Sequence, residues 1–281
     1  MKDILNKKLN VMLFLLFFIF FVLSLFGFFD AVNPNNWIES ARYILDDVSK
    51  YSFWTYINSF SIYAYVIYLA PFVIAFVGVN AFHKMLHSGF LFNLLQRTYY
   101  KTVFIREIAK CWLTALILPI MSVIIFIFGA ILYKNSAIIP LDSNNGTLIL
   151  TVKEYMTIIN PDLFIFLHFI LLVLFGIIVI NIAIIFTRYI KNIYLVSLIS
   201  FLFLIFYEVV SNTLIGPFLA NLVGIKRLAN GLSIYNLFWL DAIPSMLWEF
   251  IFAIIMILIT LFIIYIIYLR GKRDATYERL Y

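Results

Sequence analysis

Six stretches of this chain are apolar over roughly the 20 residues a helix needs to cross about 30 Å of hydrocarbon, and they decide what it can fold into. They fall at residues 11–29, 62–82, 111–133, 163–187, 193–207 and 247–269, the fifth being short. Within a bilayer no water satisfies the backbone, so each stretch reads as a helix. Of the 281 residues 65% are hydrophobic and 12% charged, too apolar for one water-soluble core. An ordinary soluble enzyme, a disordered chain and a nucleic-acid-binding domain are thereby excluded. The fold class expected is all-α integral membrane, with residues 1–281 forming a single transmembrane domain. Lys7 and Lys8 precede the first stretch as they would in a signal peptide. Its 19 residues exceed a signal core, and no small-x-small cleavage site follows, so it reads as the first span.

Loop charge sets the orientation. The N-terminus, residues 83–110, the turn 188–192 and the C-terminal tail hold fourteen Lys and Arg. The loops 30–61, 134–162 and 208–246 hold six. The bias repeats at every crossing, which predicts six spans with both termini in the cytoplasm. Heavy use of Ile, Phe, Asn and Lys points to an AT-rich bacterial genome, and hence to a bacterial plasma membrane. Pro71 and Pro119 are expected inside the second and third spans, where neighbouring groups satisfy the freed carbonyls. Asn160-Pro161 is a helix start, an N-cap followed by proline at the first helical position.

Two external loops carry local signals. After Asn33-Pro34, the residues Ile38, Ala41, Leu45 and Val48 share one helical face, and Glu39–Arg42 and Arg42–Asp46 are spaced to pair. This predicts a short amphipathic helix at the outer surface, either a cap over the helix tops or a substrate-facing element. In the 134–162 loop, residues 142–146 form a turn signal between two β-prone runs, which allows a small hairpin.

The fifth span is interrupted. Residues 193–225 contain one acid and no base, and would make a helix of about 50 Å if straight. Glu208, Ser211, Asn212 and Gly216-Pro217 stand in the middle. The expectation is a span ending near Tyr207, then a re-entrant or interfacial helix over 213–225. An ionisable residue at membrane depth points to function, the plainer alternative being a headgroup-level hydrogen bond. Glu208, Asn212 and Asn181 are therefore candidates for a translocation path. Glu249, near the outer end of the sixth span, reads as interfacial.

The segment 83–110 is too apolar for a free linker and too charged to span. Ser88-Gly89 breaks it, Leu91, Leu94 and Leu95 form a stripe, and Arg97 and Lys101 share a face. This suits a helix along the inner surface, ready for a partner protein or anionic headgroups. With six spans, both ends inside and a broken region between spans five and six, the chain resembles the membrane (permease) subunit of a type-2 ATP-binding-cassette (ABC) exporter. Ser88-Gly89, Arg97, Lys101 and Lys110 stand where that family has its corresponding residues. Only ten residues precede the first span, where the family has a longer amphipathic helix.

The resemblance implies a coupling helix at about 84–97, seated in a separate ATPase subunit that carries the ATP and Mg. Gly89 would supply the sharp turn, Leu91 and Leu95 the apolar anchors, and Arg97 a charge contact, with Lys101 on the same face. Arg106 and Glu107 would fix the hinge at the third span, and a second permease chain, identical or related, would complete the path. For each of these charges a solvated or headgroup contact is the plainer alternative.

The chain has no phosphate-binding loop of the Gly-x-x-x-x-Gly-Lys-Ser/Thr type, so ATP-driven work calls for a partner chain. His83 and His87 lack the glutamate of a zinc-protease helix and are a weak metal pair, while His168 reads as a packing or hydrogen-bonding residue. With no catalytic constellation, the chain reads as a non-catalytic transport subunit without a cofactor of its own. The competing readings are a toxin-immunity or sensor protein, an intramembrane enzyme, and a proton-coupled carrier using Glu208. The aromatic, apolar spans favour a lipophilic, amphiphilic or peptide-like cargo over an ion.

Overall fold

A computed structural model describes residues 22, 25–26, 50–59, 69–87, 100–132, 160–223, 232, 234–237 and 246–268. The described elements are helical throughout: α1 (Lys50–Ser59), α2 (Ala70–His87), α3 (Tyr100–Leu113), α4 (Ile117–Leu132), α5 (Pro161–Thr187), α6 (Ile193–Val210), α7 (Gly216–Val223) and α8 (Met246–Tyr268). A 3-10 turn, Thr114–Leu116, joins α3 to α4, a π turn, Ser211–Ile215, joins α6 to α7, and a further 3-10 turn spans Tyr235–Leu237. The first span apart from residues 22 and 25–26, the amphipathic helix after Pro34, the hairpin expected around residues 142–146 and the C-terminal tail lie outside the described residues.

Four stretches are long and apolar enough to cross a membrane: Thr102–Leu132, Asp162–Thr187, Ile193–Phe218 and Trp248–Tyr268. They are the stretches of a multi-pass membrane protein. Their outward surfaces agree, since Leu198, Leu202, Phe206 and Val209 on α6 and Ile251, Ile254, Leu258 and Phe262 on α8 are all exposed. Apolar faces this wide are stable against lipid and not against water. In α5 61% of the spanning window is buried, against 22% in α6 and in α8.

The helix ends follow local chemistry. Asn160 caps α5 as its sequence predicts, its Oδ1 accepting from Leu163 N at 3.2 Å, with Pro161 as the first helical residue. Asn192 does the same for α6, accepting from Tyr194 N at 3.0 Å. Pro71 sits in the first turn of α2, directly after the turn at Leu69, so its missing N–H costs no helical bond. Pro119 does lie inside a span, and the chain meets it with the 3-10 turn just before α4.

The chain divides into two compact units. The first contains α1 with residues 119–132 of α4 and 161–170 of α5. α1 was not foreseen, falling in a stretch read as external loop, yet Phe53, Trp54 and Ile57 are fully buried. Trp54 Nε1 donates to Ser122 Oγ at 3.0 Å, and its ring meets His168 edge-on at a centroid distance of 5.3 Å. Gly129 admits Phe53, since a Cβ there would come within 2.7 Å of the Phe53 ring. At the start of α1 the Tyr51 hydroxyl donates to Asp162 at 2.8 Å.

The second unit contains α2, α3, residues 171–187 of α5, α6, α7 and residues 247–268 of α8. Small residues set its helix packing. A Cβ at Gly176 would lie 2.7 Å from Ala115 Cβ and 2.9 Å from Ala115 Cα, and one at Gly78 would collide with Thr114 Oγ1. Close backbone approach of this kind is how helices associate in lipid, where apolar burial gives no net drive.

Candidate functional site

Of the expected coupling residues, Gly89, Leu91, Leu95 and Arg97 lie outside the described residues, and Lys101 falls in the first turn of α3. Arg106 and Glu107 are described. Glu107 Oε1 is 2.7 Å from Lys110 Nζ and 3.4 Å from Arg106 Nε. The carboxylate side chain is only 15% exposed while both bases are 58% exposed, so the acid is shielded between two solvated cations. The trio has one surplus positive charge. It braces the start of a helix that extends well ahead of residue 111, where the apolar run begins.

The broken fifth span takes a different form from the one expected. Tyr207 lies inside α6, and the helical path continues through the π turn to Val223. The interruption is a change of winding: the Gly216 N–H reaches back five residues to the Ser211 carbonyl. Ser211 Oγ donates to Glu208 O at 3.0 Å and Thr213 Oγ1 to Val209 O at 2.7 Å, so hydroxyls serve the carbonyls that the wider turn disturbs. Asn212 Nδ2 donates to Glu208 Oε1 at 2.8 Å. The other amide atom, Asn212 Oδ1, is buried with no hydrogen-bond donor among the described residues. Tyr207 completes the cluster, its hydroxyl donating to Leu232 O at 3.1 Å. Glu208 and Asn212 are thus brought together within a membrane-length helix, at the one point where its winding changes.

Asn181 stands apart from them. It is fully buried, its Oδ1 accepts from Trp112 Nε1 at 2.9 Å, and its Nδ2 donates to Thr260 Oγ1 at 3.0 Å. Both ends of the amide are engaged, so Asn181 ties α3, α5 and α8 together inside the second unit. Glu249 lies in the first turn of α8 and is 2% exposed.

Two features were missed. The histidines on α2 are hydrogen-bonding groups: His83 Nε2 is 3.1 Å from Ile190 O, and His87 Nε2 is 3.0 Å from Thr187 O. Burial holds the His83 imidazole below the ordinary histidine value, partly offset by the bond to the Ile190 carbonyl, with the neighbouring His87 a smaller lowering influence. The fully buried Tyr268 on α8 donates to Ile184 O at 2.8 Å, close to the Thr187 hydroxyl at 2.9 Å. The signal available for the first was the i, i+4 spacing of two histidines at a span end. For the second there was none, because a tyrosine near a helix end reads as interfacial. Among the described residues no group of three or more His, Cys, Asp or Glu could hold a metal ion. Comparison with protein-family models, curated proteins and solved structures finds no match.

Proposed function

We propose that this chain is the transmembrane subunit of an ATP-driven exporter in a bacterial plasma membrane, with six spans and both termini in the cytoplasm. A separate ATP-binding-cassette subunit would bind ATP and Mg and hydrolyse the nucleotide, and a second permease chain, identical or related, would complete the path. The cargo would be lipophilic, amphiphilic or peptide-like.

One observation supports the reading: the stretch Thr102–Leu132, the third span in this reading, is longer than a membrane crossing needs. Thr102–Leu132 runs 31 residues, about 46 Å at 1.5 Å per residue, against about 30 Å of hydrocarbon. The excess lies at the charged end, where Glu107 is braced by Arg106 and Lys110. In this reading the excess length stands out of the bilayer on the cytoplasmic side, toward a soluble subunit. In this reading Gly89, Leu91, Leu95, Arg97 and Lys101 meet the ATPase, and Arg106–Glu107 keeps the lever stiff. Glu208 and Asn212 face the path, and Asn181 holds the helices that line it.

Purification in mild detergent followed by mass spectrometry tests this. The expected result is a stoichiometric ATPase that cross-links to residues 84–101, with Gly89→Pro and Arg97→Glu leaving the chain folded but uncoupling hydrolysis from transport. A chain recovered alone at near-native yield overturns it. A proton-coupled carrier is the second reading, favoured by an acid inside a membrane-length helix. It requires transport that follows a proton gradient and stops in Glu208→Gln.

A further inference from the structure

Where α3 runs beside the C-terminal half of α8, the two helices leave an open groove of about 170 Å³. Phe104, Ile108 and Ile264 form its floor and are buried, while Ile105 and Ala109 on one rim and Tyr265 on the other are exposed. The floor is set before anything enters. Phe104 is wedged between Phe82 at 5.4 Å and Tyr268 at 4.8 Å, centroid to centroid. Trp112, at the far end, gives its indole N–H to Asn181. Apart from the Tyr265 hydroxyl at the rim, the lining side chains therefore keep no polar atom for an occupant. A preformed apolar space of this kind selects hydrocarbon.

At the same height α3 carries its charges. Arg106 and Ala109 are surface neighbours at i, i+3, and Lys110 follows directly. Both bases are 58% exposed and share the one carboxylate of Glu107, which leaves a single positive charge over at the edge of the groove. On α8 the exposed Phe262, Ile263 and Ile266 extend the apolar surface that faces lipid.

We propose that the groove binds one anionic phospholipid, with an acyl chain between α3 and α8 and the phosphodiester set against Arg106 and Lys110. Phe104 and Trp112 stand eight residues apart, about 12 Å along the helix, which gives a chain an extended bed. A phosphodiester brings one negative charge and matches the surplus. A zwitterionic headgroup also brings an ammonium, which the same bases repel. Free phosphate would answer the charge and leave the groove empty, and a neutral hydrocarbon would do the reverse. An amphiphile with one negative charge answers both. The site does not depend on the exporter reading.

Tryptophan quenching tests it, because bromine quenches an indole at contact range and Trp112 lines the groove. The full-length chain is placed in phosphatidylcholine nanodiscs, and phosphatidylglycerol with brominated chains is titrated in. The chain has five tryptophans, so the Trp112 signal is taken as the difference from Trp112→Phe. Quenching should saturate, and should reach half its maximum at roughly fivefold less brominated phosphatidylglycerol than brominated phosphatidylcholine, the preference that one surplus base gives. R106Q/K110Q should bring the two lipids level while quenching persists. Ala109→Phe, which fills the groove from its exposed rim, should abolish the saturable part with both lipids. If Trp112→Phe does not fold, native mass spectrometry of the wild-type chain reads the same site as one retained phosphatidylglycerol, lost in R106Q/K110Q. Quenching that follows the mole fraction of either lipid equally, or a preference that survives R106Q/K110Q, overturns the site. Quenching absent at every composition, in discs that hold two chains, gives the groove to a second copy and overturns it as well.

Discussion

Two helical stretches of membrane-crossing length, Thr102–Leu132 and Ile193–Phe218, each meet a proline, and they absorb it in opposite ways. Ahead of Pro119 the chain tightens into the 3-10 turn Thr114–Leu116, whereas ahead of Pro217 it widens into the π turn Ser211–Ile215. The tight break is packed against neighbours: Ala115 is fully buried on Gly176, and Thr114 lies on Gly78. The wide break is open, with Leu214 and Phe218 each 65% exposed. Pro119 cannot donate to the Ala115 carbonyl, and that oxygen lies 3.2 Å from where a Cβ of Gly176 would be. The tight break thus spends its irregularity on close packing. The wide break places Glu208 and Asn212 side by side and leaves Asn212 Oδ1 unmatched among the described residues. One is a seam and the other has the character of a site.

The largest effect should follow from filling the seam. Gly176→Val would drive a branched side chain into Ala115 backbone, which has no flexible end to yield. The expected cost is about 3 kcal/mol, the upper end for overpacking. Thermal unfolding in detergent should show it as a large fall in midpoint or as loss of folded yield. A near-native midpoint would mean that the small residues do not set the distance between α5 and the tight break.

Next comes the polar tie one turn from the seam. Asn181→Ala removes the partner of both Trp112 Nε1 and Thr260 Oγ1. The Thr260 hydroxyl keeps Met256 O and Ile257 O within reach, so the loss falls mainly on the indole. About 1–2 kcal/mol is expected, since hydrogen bonds between membrane helices are worth modest amounts. Thr260→Val should cost less than Asn181→Ala, and the reverse order would move the centre of the tie to α8.

The same contrast separates what the sequence reveals from what it hides. The helix starts at Pro161 and Ile193 follow from Asn160 and Asn192, because a capping side chain acts within three residues of itself. The four spanning stretches follow from length and apolarity, which need no knowledge of neighbours. The break near Glu208 was legible for the same reason, as polar residues beside Gly216-Pro217. Its form was not, because whether a proline is met by a tight or a wide turn depends on what packs alongside. Asn181 looked like Asn212 in sequence, and only Trp112 and Thr260, at distant positions, make it a structural tie. α1 was hidden because Phe53, Trp54 and Ile57 form too short a pattern to separate from an interfacial belt until the partners on α4 and α5 are known.

The smallest effect on stability should come from the wide break, and there it is the most informative. Pro217 lacks the N–H that would bond Thr213 O in a regular helix, and its ring would crowd that carbonyl. Pro217→Ala removes both constraints, so the extra residue of the π turn can be lost. Because the surroundings are exposed, the unfolding midpoint should hold within about 0.5 kcal/mol of the native chain. The winding, in contrast, should change, turning residues beyond the break by about 100° relative to α6, the angle of one helical residue. Spin labels at Leu214 and Phe218, exposed in the native chain, read this through their accessibility to dissolved oxygen. Altered accessibility with an unchanged midpoint would mark the proline as the cause of the wide turn. Unchanged accessibility would mean that Ser211, Asn212 and Thr213 hold the turn by their own bonds to Glu208 and Val209, and that the proline only follows it.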